Sequence, residues 1–427
     1  MVLKCKIFEF WYLLFINTII MAQLPESSEL AKWKIYILMG LMLFFGSTNT
    51  IVHKYQNELT TTDKNGKEMK YKHPFFQTLW MLLAEFWWLG VYKIIELYTN
   101  RKYGGADKNP AIIRAKALGQ KTSINVLLIA IPATFDFIGS SLMFIALTMI
   151  AASIYQMMRG CLVFIVAIFS VIFLKRKLYR HHWTSLAFIL AGLIIVGAST
   201  LISKDDDSND ATYKIILGIS LIIIAQLFSG CHFIVEEKLF GNYYLHPLRL
   251  VGWEGLWGVL ITSVALVIFQ FIKWNNKEIC PHGTLEDTPL ALREWGQNSG
   301  LWITTILYIF SVACFNCLGV SITKYVSAAA RSTLDSARTA VIWAFFVISP
   351  GPGSEKFEWL ELVGFLILIF GTFVFNEVII IPFFGFNRYT KDALQANSKD
   401  DEIFSKRSFG SDTIYESFRD SIVGTTK

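Results

Sequence analysis

The hydrophobic residues of this chain are gathered in long blocks and are not spaced at amphipathic intervals. From Trp33 onward, ten blocks have the length of a membrane span, since about 20 apolar residues cross a hydrocarbon core of about 30 Å. Hardly any loop separates the third block from the fourth or the eighth from the ninth. We predict spans near residues 34–54, 75–98, 124–148, 151–174, 183–202, 214–236, 248–272, 301–323, 326–349 and 358–381.

Two polar segments occupy matching places in the two halves of this pattern. The first reads AASIYQMMRG and ends at Gly160, and the second reads AAARSTLDSARTAVIW and ends at Trp343. Matching polar segments within two apolar halves are typical of a duplicated transporter. The repeat pairs Arg159 with Arg338 and Gln156 with Asp335 by a shift of 179 residues, and Asp136 with Asn316 by a shift of 180.

Counting the spans predicts the architecture. Five spans in each half insert the two halves with opposite orientations, so the repeat must be inverted. We therefore predict an all-α polytopic membrane protein with ten transmembrane helices in a 5+5 inverted repeat. The first repeat comprises residues 32–203 and the second comprises residues 213–381.

Composition supports a membrane protein and excludes several other classes. Of the 427 residues, 54% are hydrophobic and only 17% are charged, whereas soluble domains carry roughly 25% charged residues. The net charge of +6 is spread over loops without a basic stripe for nucleic acid. The chain contains no Walker A, G-x-S-x-G or H-E-x-x-H motif. We predict a protein that is not an enzyme, with no cofactor, no metal and no nucleic-acid partner.

The loop charges predict the orientation. The loop between spans two and three, and the loop between spans four and five, together carry ten Lys and Arg residues, whereas residues 204–210, KDDDSND, are acidic. Because Lys and Arg are enriched in cytosolic loops, both ends of the ten-helix core are predicted to be cytosolic. The loop between spans one and two is rich in lysine as well and argues for the opposite orientation.

Both ends of the chain differ from the core. Residues 1–31 carry two lysines before a short apolar run, which fits a signal-like segment, an interfacial helix or an additional span. Residues 387–427 are polar and are predicted to form a disordered cytosolic tail. Within the tail, Tyr415 and Phe418 have the spacing of a tyrosine-based sorting signal read by clathrin adaptors.

Two arginines within the spans are the main candidates for a binding site. A charge at the bilayer centre costs roughly 2.5–3.5 kcal/mol, so each needs a partner or a cavity. Asp335 and Arg338 are three residues apart on one helix face and can form a salt bridge or contact substrate. Arg159 has Gln156 at that spacing and needs a carboxylate from elsewhere or an anionic ligand. We predict a substrate cavity lined by Arg159, Gln156, Arg338, Asp335 and Asn316.

Acidic residues in other spans are candidates for coupling. Each of Glu85, Asp136 and Glu254 is a carrier of a coupling proton, a counterion for Arg159 or a carboxylate capped near a helix end. Glu236 closes the sixth span and is predicted to be a solvated helix end. His232, earlier in the same span, either faces the cavity or has a hydrogen-bonded packing role, and the packing role is favoured.

Several stretches are similar to a known family. They are GLMLFFGSTNT at residues 40–50, HPFFQ at 73–77, SSLMFIALTMIAASIYQMMRG at 140–160, VEEKLF at 235–240, HPLRLVGWEGLWG at 246–258, GTLED at 283–287 and GVSITKYVSAAARSTLDSARTAVIW at 319–343. By these stretches the chain resembles the drug/metabolite transporter superfamily, and within it solute carrier family 35, F subfamily. The resemblance implies a ten-helix inverted-repeat fold with a central cavity, alternating access, a lysosomal or endosomal membrane, and a homodimer through the last helix of each half. It does not imply nucleotide-sugar specificity, because the F subfamily is poorly defined by substrate.

These observations together predict a secondary transporter of a small polar or anionic organic solute. The alternative is a membrane scaffold that has the transporter fold but has lost transport. Charged side chains within the spans favour the transporter. Their burial costs free energy, and only a protein that binds a solute there gains a function from them.

Overall fold

The computed structural model of the chain describes residues 30–62, 68–105, 108–117, 119–150, 152–202, 209–273, 283–348, 358–377, 379–382 and 390. Tyr415, Phe418 and nearly all of residues 1–31 and 387–427 lie outside this range. The described chain is helical except for one short hairpin, in which Thr60–Thr62 (β1) pairs antiparallel with Glu68–Lys70 (β2).

The helices follow the predicted blocks and extend past several of them. In chain order they are α1 Leu30–Glu58, α2 Pro74–Tyr103, α3 Pro110–Ala117, α4 Ala130–Met149 (preceded by a 3₁₀ turn, Val126–Ile129), α5 Ala152–Met158, α6 Cys161–Leu174, α7 Arg180–Ile202, α8 Asn209–Asn242, α9 Pro247–Phe269, α10 Thr288–Gln297, α11 Ser299–Tyr325, α12 Ala328–Ile348 and α13 Trp359–Phe375.

The described helices include eight segments that are long and apolar enough to cross a membrane. Two further helices fall outside that set for different reasons. The helix α12 is long enough but carries Arg331, Asp335 and Arg338, and α13 is apolar but only 17 residues long. The protein is therefore a multi-pass membrane protein, as the sequence predicted.

The predicted fourth span, 151–174, corresponds to the candidate membrane segment Ile154–Leu174, which a short turn interrupts. The helix α5 ends at Met158, and α6 begins at Cys161, so that Arg159 and Gly160 lie at the break. A methyl group at Gly160 would lie 2.7 Å from a methyl carbon of Leu368 on α13, so any larger residue there would require the Leu368 side chain to shift. The matching span of the second half, α12, is continuous.

Glycines bring α2 and α9 into backbone contact. A Cβ atom at Gly255 would lie 2.2 Å from the backbone nitrogen of Phe86, and one at Gly252 would lie 2.4 Å from that of Leu89. No side chain can move aside at these two places, because the neighbouring atoms belong to the backbone. The close approach sets Glu85 of α2 and Glu254 of α9 beside each other at the centre of the molecule.

Two His-Pro pairs begin α2 and α9, and their histidines have opposite surroundings. His73 Nδ1 lies 2.6 Å from Glu286 Oε1, and its Nε2 lies 3.4 Å from Glu294 Oε2. Burial alone would lower the pKa of His73, but the two carboxylates outweigh it and raise the pKa to about 9. Burial and the nearby charge of Lys324 instead lower the pKa of His246 to about 3.

Candidate functional site

A cavity of about 110 Å³ lies at the centre of the molecule, between helices of the two halves of the chain. Its walls come from α1, α2, α4, α8, α9, α11 and α12, together with the break between α5 and α6. The sequence-predicted residues that line it are Arg159, Arg338, Asp335, Asn316, Glu85, Asp136 and Glu254.

At one end of the cavity, Asp335 joins the two arginines. Its Oδ2 lies 2.8 Å from Arg159 Nη2, and its Oδ1 lies 2.9 Å from Arg338 Nη2. Arg338 also donates to the backbone oxygen of Gly46 at 2.8 Å, and its guanidinium lies 4.6 Å from the centre of the Phe315 ring. We call Arg159, Asp335 and Arg338 the arginine triad.

The triad corrects one prediction and refines another. The expected partners of Arg159 were an acid of another span (Asp136, Glu85 or Glu254) or a ligand, but its partner in the structure is Asp335. The expected salt bridge between Asp335 and Arg338 is present. One carboxylate serves both arginines because α12 packs against α5 and α6 beside Arg159, a tertiary contact that helical spacing alone does not indicate.

At the other end of the cavity, four carboxylates surround one imidazole and one guanidinium. His232 Nε2 lies 3.3 Å from Glu236 Oε1 and 3.7 Å from Glu254 Oε1, and its Nδ1 lies 3.9 Å from Asp136 Oδ1. Two further side chains complete this end, since Arg331 donates to Glu236 and Asn316 donates to Glu85. We call this group the carboxylate cluster; its members are Glu85, Asp136, Glu236, Glu254, His232 and Arg331.

Two residues of the carboxylate cluster correct the sequence analysis, and one was missed. Glu236 was predicted to be a solvated helix end, but it is fully buried and paired with Arg331. His232 was predicted to pack rather than line the cavity, yet it lies among three carboxylates. Arg331 received no role, although it lies two helical turns before Arg338 and therefore on the same face of α12.

Gln156 departs from its prediction. It was expected to line the cavity, but it is fully buried and lies outside the lining. Neither atom of its side-chain amide has a hydrogen-bond partner among the residues that the structure describes. Its backbone oxygen accepts a hydrogen bond from Thr339 at 3.3 Å, which joins α5 to α12. Gln156 therefore contributes to helix packing beside the triad.

With every group ionised, the formal charges of the two ends differ in sign. Two guanidinium groups and one carboxylate leave the triad with a net charge of +1 when all are ionised. Four carboxylates and one guanidinium leave the cluster with −3, or −2 when His232 is protonated. The excess charge of each end lies in a low-dielectric interior, where it calls for a charge of opposite sign.

Two groups of side chains bring metal-ligating atoms within 4.8 Å of one another, and in each group one residue also contacts a residue outside the group. One is His232, Glu236 and Glu254, in which Arg331 already occupies Glu236. The other is His181, His182 and Glu377 near the ends of α7 and α13. There the Tyr179 backbone N–H donates to His182 Nδ1 at 3.3 Å. His182 therefore carries its hydrogen on Nε2, the atom that faces Glu377.

Comparison with known proteins agrees with these features. The model of the nucleotide-sugar transporter family matches residues 32–244. Solute carrier family 35 member F6 from Homo sapiens is 38% identical over 346 residues, which cover 81% of this chain and 89% of that protein. The Mus musculus protein of the same name is 36% identical over 346 residues, with the same coverage. The UDP-N-acetylglucosamine/UDP-N-acetylgalactosamine transporter nstp-4 from Caenorhabditis elegans is 29% identical over 225 residues, which cover 50% of this chain and 60% of that protein.

The apolar helices, the charged central cavity and these relatives define a class, the multi-pass membrane transporters of small-molecule solutes. The chain belongs to solute carrier family 35 and, within it, to the F subfamily. The resemblance found in the sequence is thereby confirmed.

Proposed function

We propose that the protein is a secondary transporter that moves a small polar or anionic organic solute across an endomembrane by alternating access. The observation that carries this proposal is the arginine triad. Arg159 belongs to the first half of the chain and Arg338 to the second, and both meet one carboxylate inside a cavity between the halves. A solute bound there contacts both halves at once, as alternating access requires.

The fold that we propose for this transport has ten membrane helices in a 5+5 inverted repeat, 32–203 and 213–381. The closest helix pairs support it: α7 with α13, α2 with α9, α4 with α8, and α1 with α11. Exchanging the two halves maps the first two pairs onto themselves and exchanges the last two. A symmetric packing of this kind is expected when each half repeats the other.

Asp335 provides the link between solute binding and opening in this proposal. In the structure its carboxylate is the anion that Arg159 binds. An anionic solute that takes this place leaves Asp335 with Arg338, three residues away on the same helix. Binding thus breaks the ion pair between the halves and keeps the pair within α12, so that the halves become free to separate.

We assign coupling to the carboxylate cluster. Glu85, Asp136 and Glu254 remain the candidate proton carriers, and the cluster adds Glu236 and His232 as their neighbours. Its excess negative charge favours the uptake of protons on the acidic side of an organelle membrane. A gradient of protons could in this way drive solute movement without ATP.

The solute is expected to be smaller than a nucleotide sugar in the state described. The cavity of about 110 Å³ is below the roughly 300–1,000 Å³ of ordinary ligand pockets. A solute the size of a nucleotide sugar, named for the Caenorhabditis elegans relative, would need a much wider state. We therefore favour a compact solute with a negatively charged group.

Location and partners belong to the same proposal. We place the protein in a lysosomal or endosomal membrane, with both ends of the core cytosolic. Tyr415 and Phe418 of the tail would bind a clathrin adaptor there, and the last helix of each half would support a homodimer. Neither the tail nor a second chain is part of the described structure.

The test is uptake into proteoliposomes across a panel of solutes, with and without a pH gradient. We expect Arg159→Ala and Arg338→Ala each to reduce uptake at least tenfold, because each removes a guanidinium of the triad. Lys93→Ala is the control, since Lys93 is exposed on α2 and its partner Glu96 lies far from the cavity. Uptake unaffected by both arginine variants would contradict the site, and the lack of any uptake would favour the scaffold.

A further inference from the structure

The two charged ends face one continuous cavity, and each has polar atoms left over for a ligand. The arginine triad and the carboxylate cluster line the same space, with Tyr308 and Phe315 among the side chains that complete its wall. We propose that the solute is a zwitterion, whose anionic group binds at Arg159 and whose cationic group binds between Glu254 and Asp136. This inference rests on the proposed transport function and narrows its solute.

Arg159 is the side chain of the triad that is open to a ligand. Its side chain is 16% exposed, whereas those of Asp335 and Arg338 are 3% and 2% exposed. Its Nε atom has no hydrogen-bond partner within the described part of the chain. A guanidinium offers five donors in one plane, so Arg159 can bind a carboxylate or a phosphate through Nε and, once Asp335 is displaced, through Nη2.

Glu254 and Asp136 are the corresponding side chains of the carboxylate cluster. The Glu254 side chain is almost fully buried, and its Oε1 atom has no hydrogen-bond partner among the described residues. The same holds for Oδ2 of Asp136. An ammonium group has three donors and no acceptor, which suits two carboxylate oxygens that lack donors.

A solute with one charge would leave one end of the cavity uncompensated. An anion at Arg159 adds negative charge beside a cluster that already has an excess of it. A cation at Glu254 leaves the net positive charge of the triad unchanged. A zwitterion places a charge of the opposite sign at each end, which neutralises the triad and reduces the excess at the cluster by one.

The first test uses ω-amino carboxylic acids of increasing length, from glycine to 6-aminohexanoate, as probes of the purified full-length protein. Each amino acid is compared with the carboxylic acid and the amine of the same carbon number, for example 4-aminobutyrate with butyrate and butylamine. Binding is measured as the rise in the midpoint of thermal unfolding with ligand concentration. We expect at least one amino acid to bind at least about tenfold more tightly than both counterparts, a difference of about 1.4 kcal/mol, because it forms charged hydrogen bonds at both ends.

Two variants assign the ends. Arg159→Gln is expected to weaken binding of the best amino acid about tenfold and to leave binding of the matching amine unchanged. Glu254→Gln is expected to weaken binding of the amino acid by a similar factor and to leave binding of the matching carboxylic acid unchanged. Lys93→Gln, remote from the cavity, should alter none of the three.

The proposal is overturned if the carboxylic acid or the amine binds as tightly as the amino acid, or if no amino acid of the series binds. Uptake measurements separate this failure from that of the proposed function. Proteoliposomes that carry a singly charged solute through Arg159 would refute the zwitterion and keep the transporter. Proteoliposomes that carry no solute of a broad panel would refute both.

Discussion

At the arginine triad, one carboxylate serves two guanidinium groups, whereas at the carboxylate cluster four carboxylates surround one guanidinium and one imidazole. Both ends are buried in the same cavity. They differ in the number of carboxylates that are near each positive charge. Among the residues that the structure describes, Asp335 is the one carboxylate that forms an ion pair with either arginine. A carboxylate of the cluster has three others near it. Equal changes of charge should therefore have unequal consequences at the two ends.

The backbones at the two ends differ as well. Arg159 stands at the break between α5 and α6, and Arg338 lies within the continuous helix α12. Discontinuous helices at the centre of a transporter leave backbone groups and side chains available to a ligand. Arg159 is also the more exposed of the two arginines, at 16% against 2% for Arg338, and for this reason we propose it as the solute-binding member of the pair.

The largest effect is expected for Asp335→Asn. This change leaves two buried guanidinium groups without a carboxylate, and such a loss costs about 3–5 kcal/mol of folding stability. The measurement is the thermal or denaturant midpoint of the purified protein in detergent. We expect it to fall well below that of the wild type.

The double variant Asp335→Asn with Arg159→Gln is the matched control. Removing one guanidinium together with its carboxylate should recover part of the lost stability, because fewer buried charges remain unpaired. A double variant no more stable than Asp335→Asn alone would show that Asp335 does not couple the two halves.

The sequence predicted most of the residues that line the cavity, but it did not predict which of them form ion pairs with each other. Seven of the eight candidates line the cavity, because a polar residue inside an apolar block must face other protein or water. The partner of Arg159 could not be predicted, because the contact between α12 and the break depends on how the helices pack. The break itself was missed because a single glycine, Gly160, carries no distinct signal within an apolar run.

Glu236 shows a second limit. Its place near the end of the sixth span favoured a solvated position, but α8 continues to Asn242 and keeps Glu236 inside the protein. Hydrophobicity marks the apolar centre of a span better than its true end. A helical-face argument could have found Arg331, since Arg331, Asp335 and Arg338 recur at intervals of four and three residues.

The next prediction concerns His73, a buried histidine outside the spans whose ion-pair partners are two acids. The pKa of His73 is raised from an ordinary value of 6.5 to about 9, since Glu286 and Glu294 outweigh the effect of burial. The ion pair of His73 contributes about 3 kcal/mol to the free energy of unfolding. This contribution is complete below pH 6.5 and is lost as the pH rises through 9. We expect the midpoint temperature of thermal unfolding to decrease as the pH rises from 6.5 to 9. At lower pH the contribution of this ion pair to the midpoint should not change with pH.

His73→Gln is the control for this pH dependence. The variant should be less stable than the wild type at pH 6, and the difference should shrink as the pH approaches 9. Parallel stability curves of the two proteins across this range would contradict the assignment to His73. The result calibrates what carboxylates can do for a buried imidazole in this fold when no arginine competes.

A smaller effect should separate the two arginines of the triad. Arg338→Gln removes a buried side chain that also holds the backbone of Gly46, and it should cost about 2–3 kcal/mol of stability. Arg159→Gln should cost less, about 1 kcal/mol, because its side chain is partly exposed. Solute uptake and thermal midpoints measured on both variants test the distinction. If Arg159→Gln proves the more destabilising variant, Arg159 is a structural residue and the division of roles is wrong.

The smallest effects are expected at two neighbouring acids, Glu236 and Glu237. Glu236→Gln removes the carboxylate bound to Arg331, but three other carboxylates remain in the cluster to compensate the guanidinium. We therefore expect a loss of about 2 kcal/mol, less than for Asp335→Asn although Glu236 is just as deeply buried.

Glu237→Gln affects a less buried pair with Arg176 and a hydrogen bond from the backbone N–H of Ala328, so about 1 kcal/mol is expected. Thermal midpoints measured under one condition rank the three variants, and an equal loss for Glu236→Gln and Asp335→Asn would refute redundancy as the difference between the two ends of the cavity.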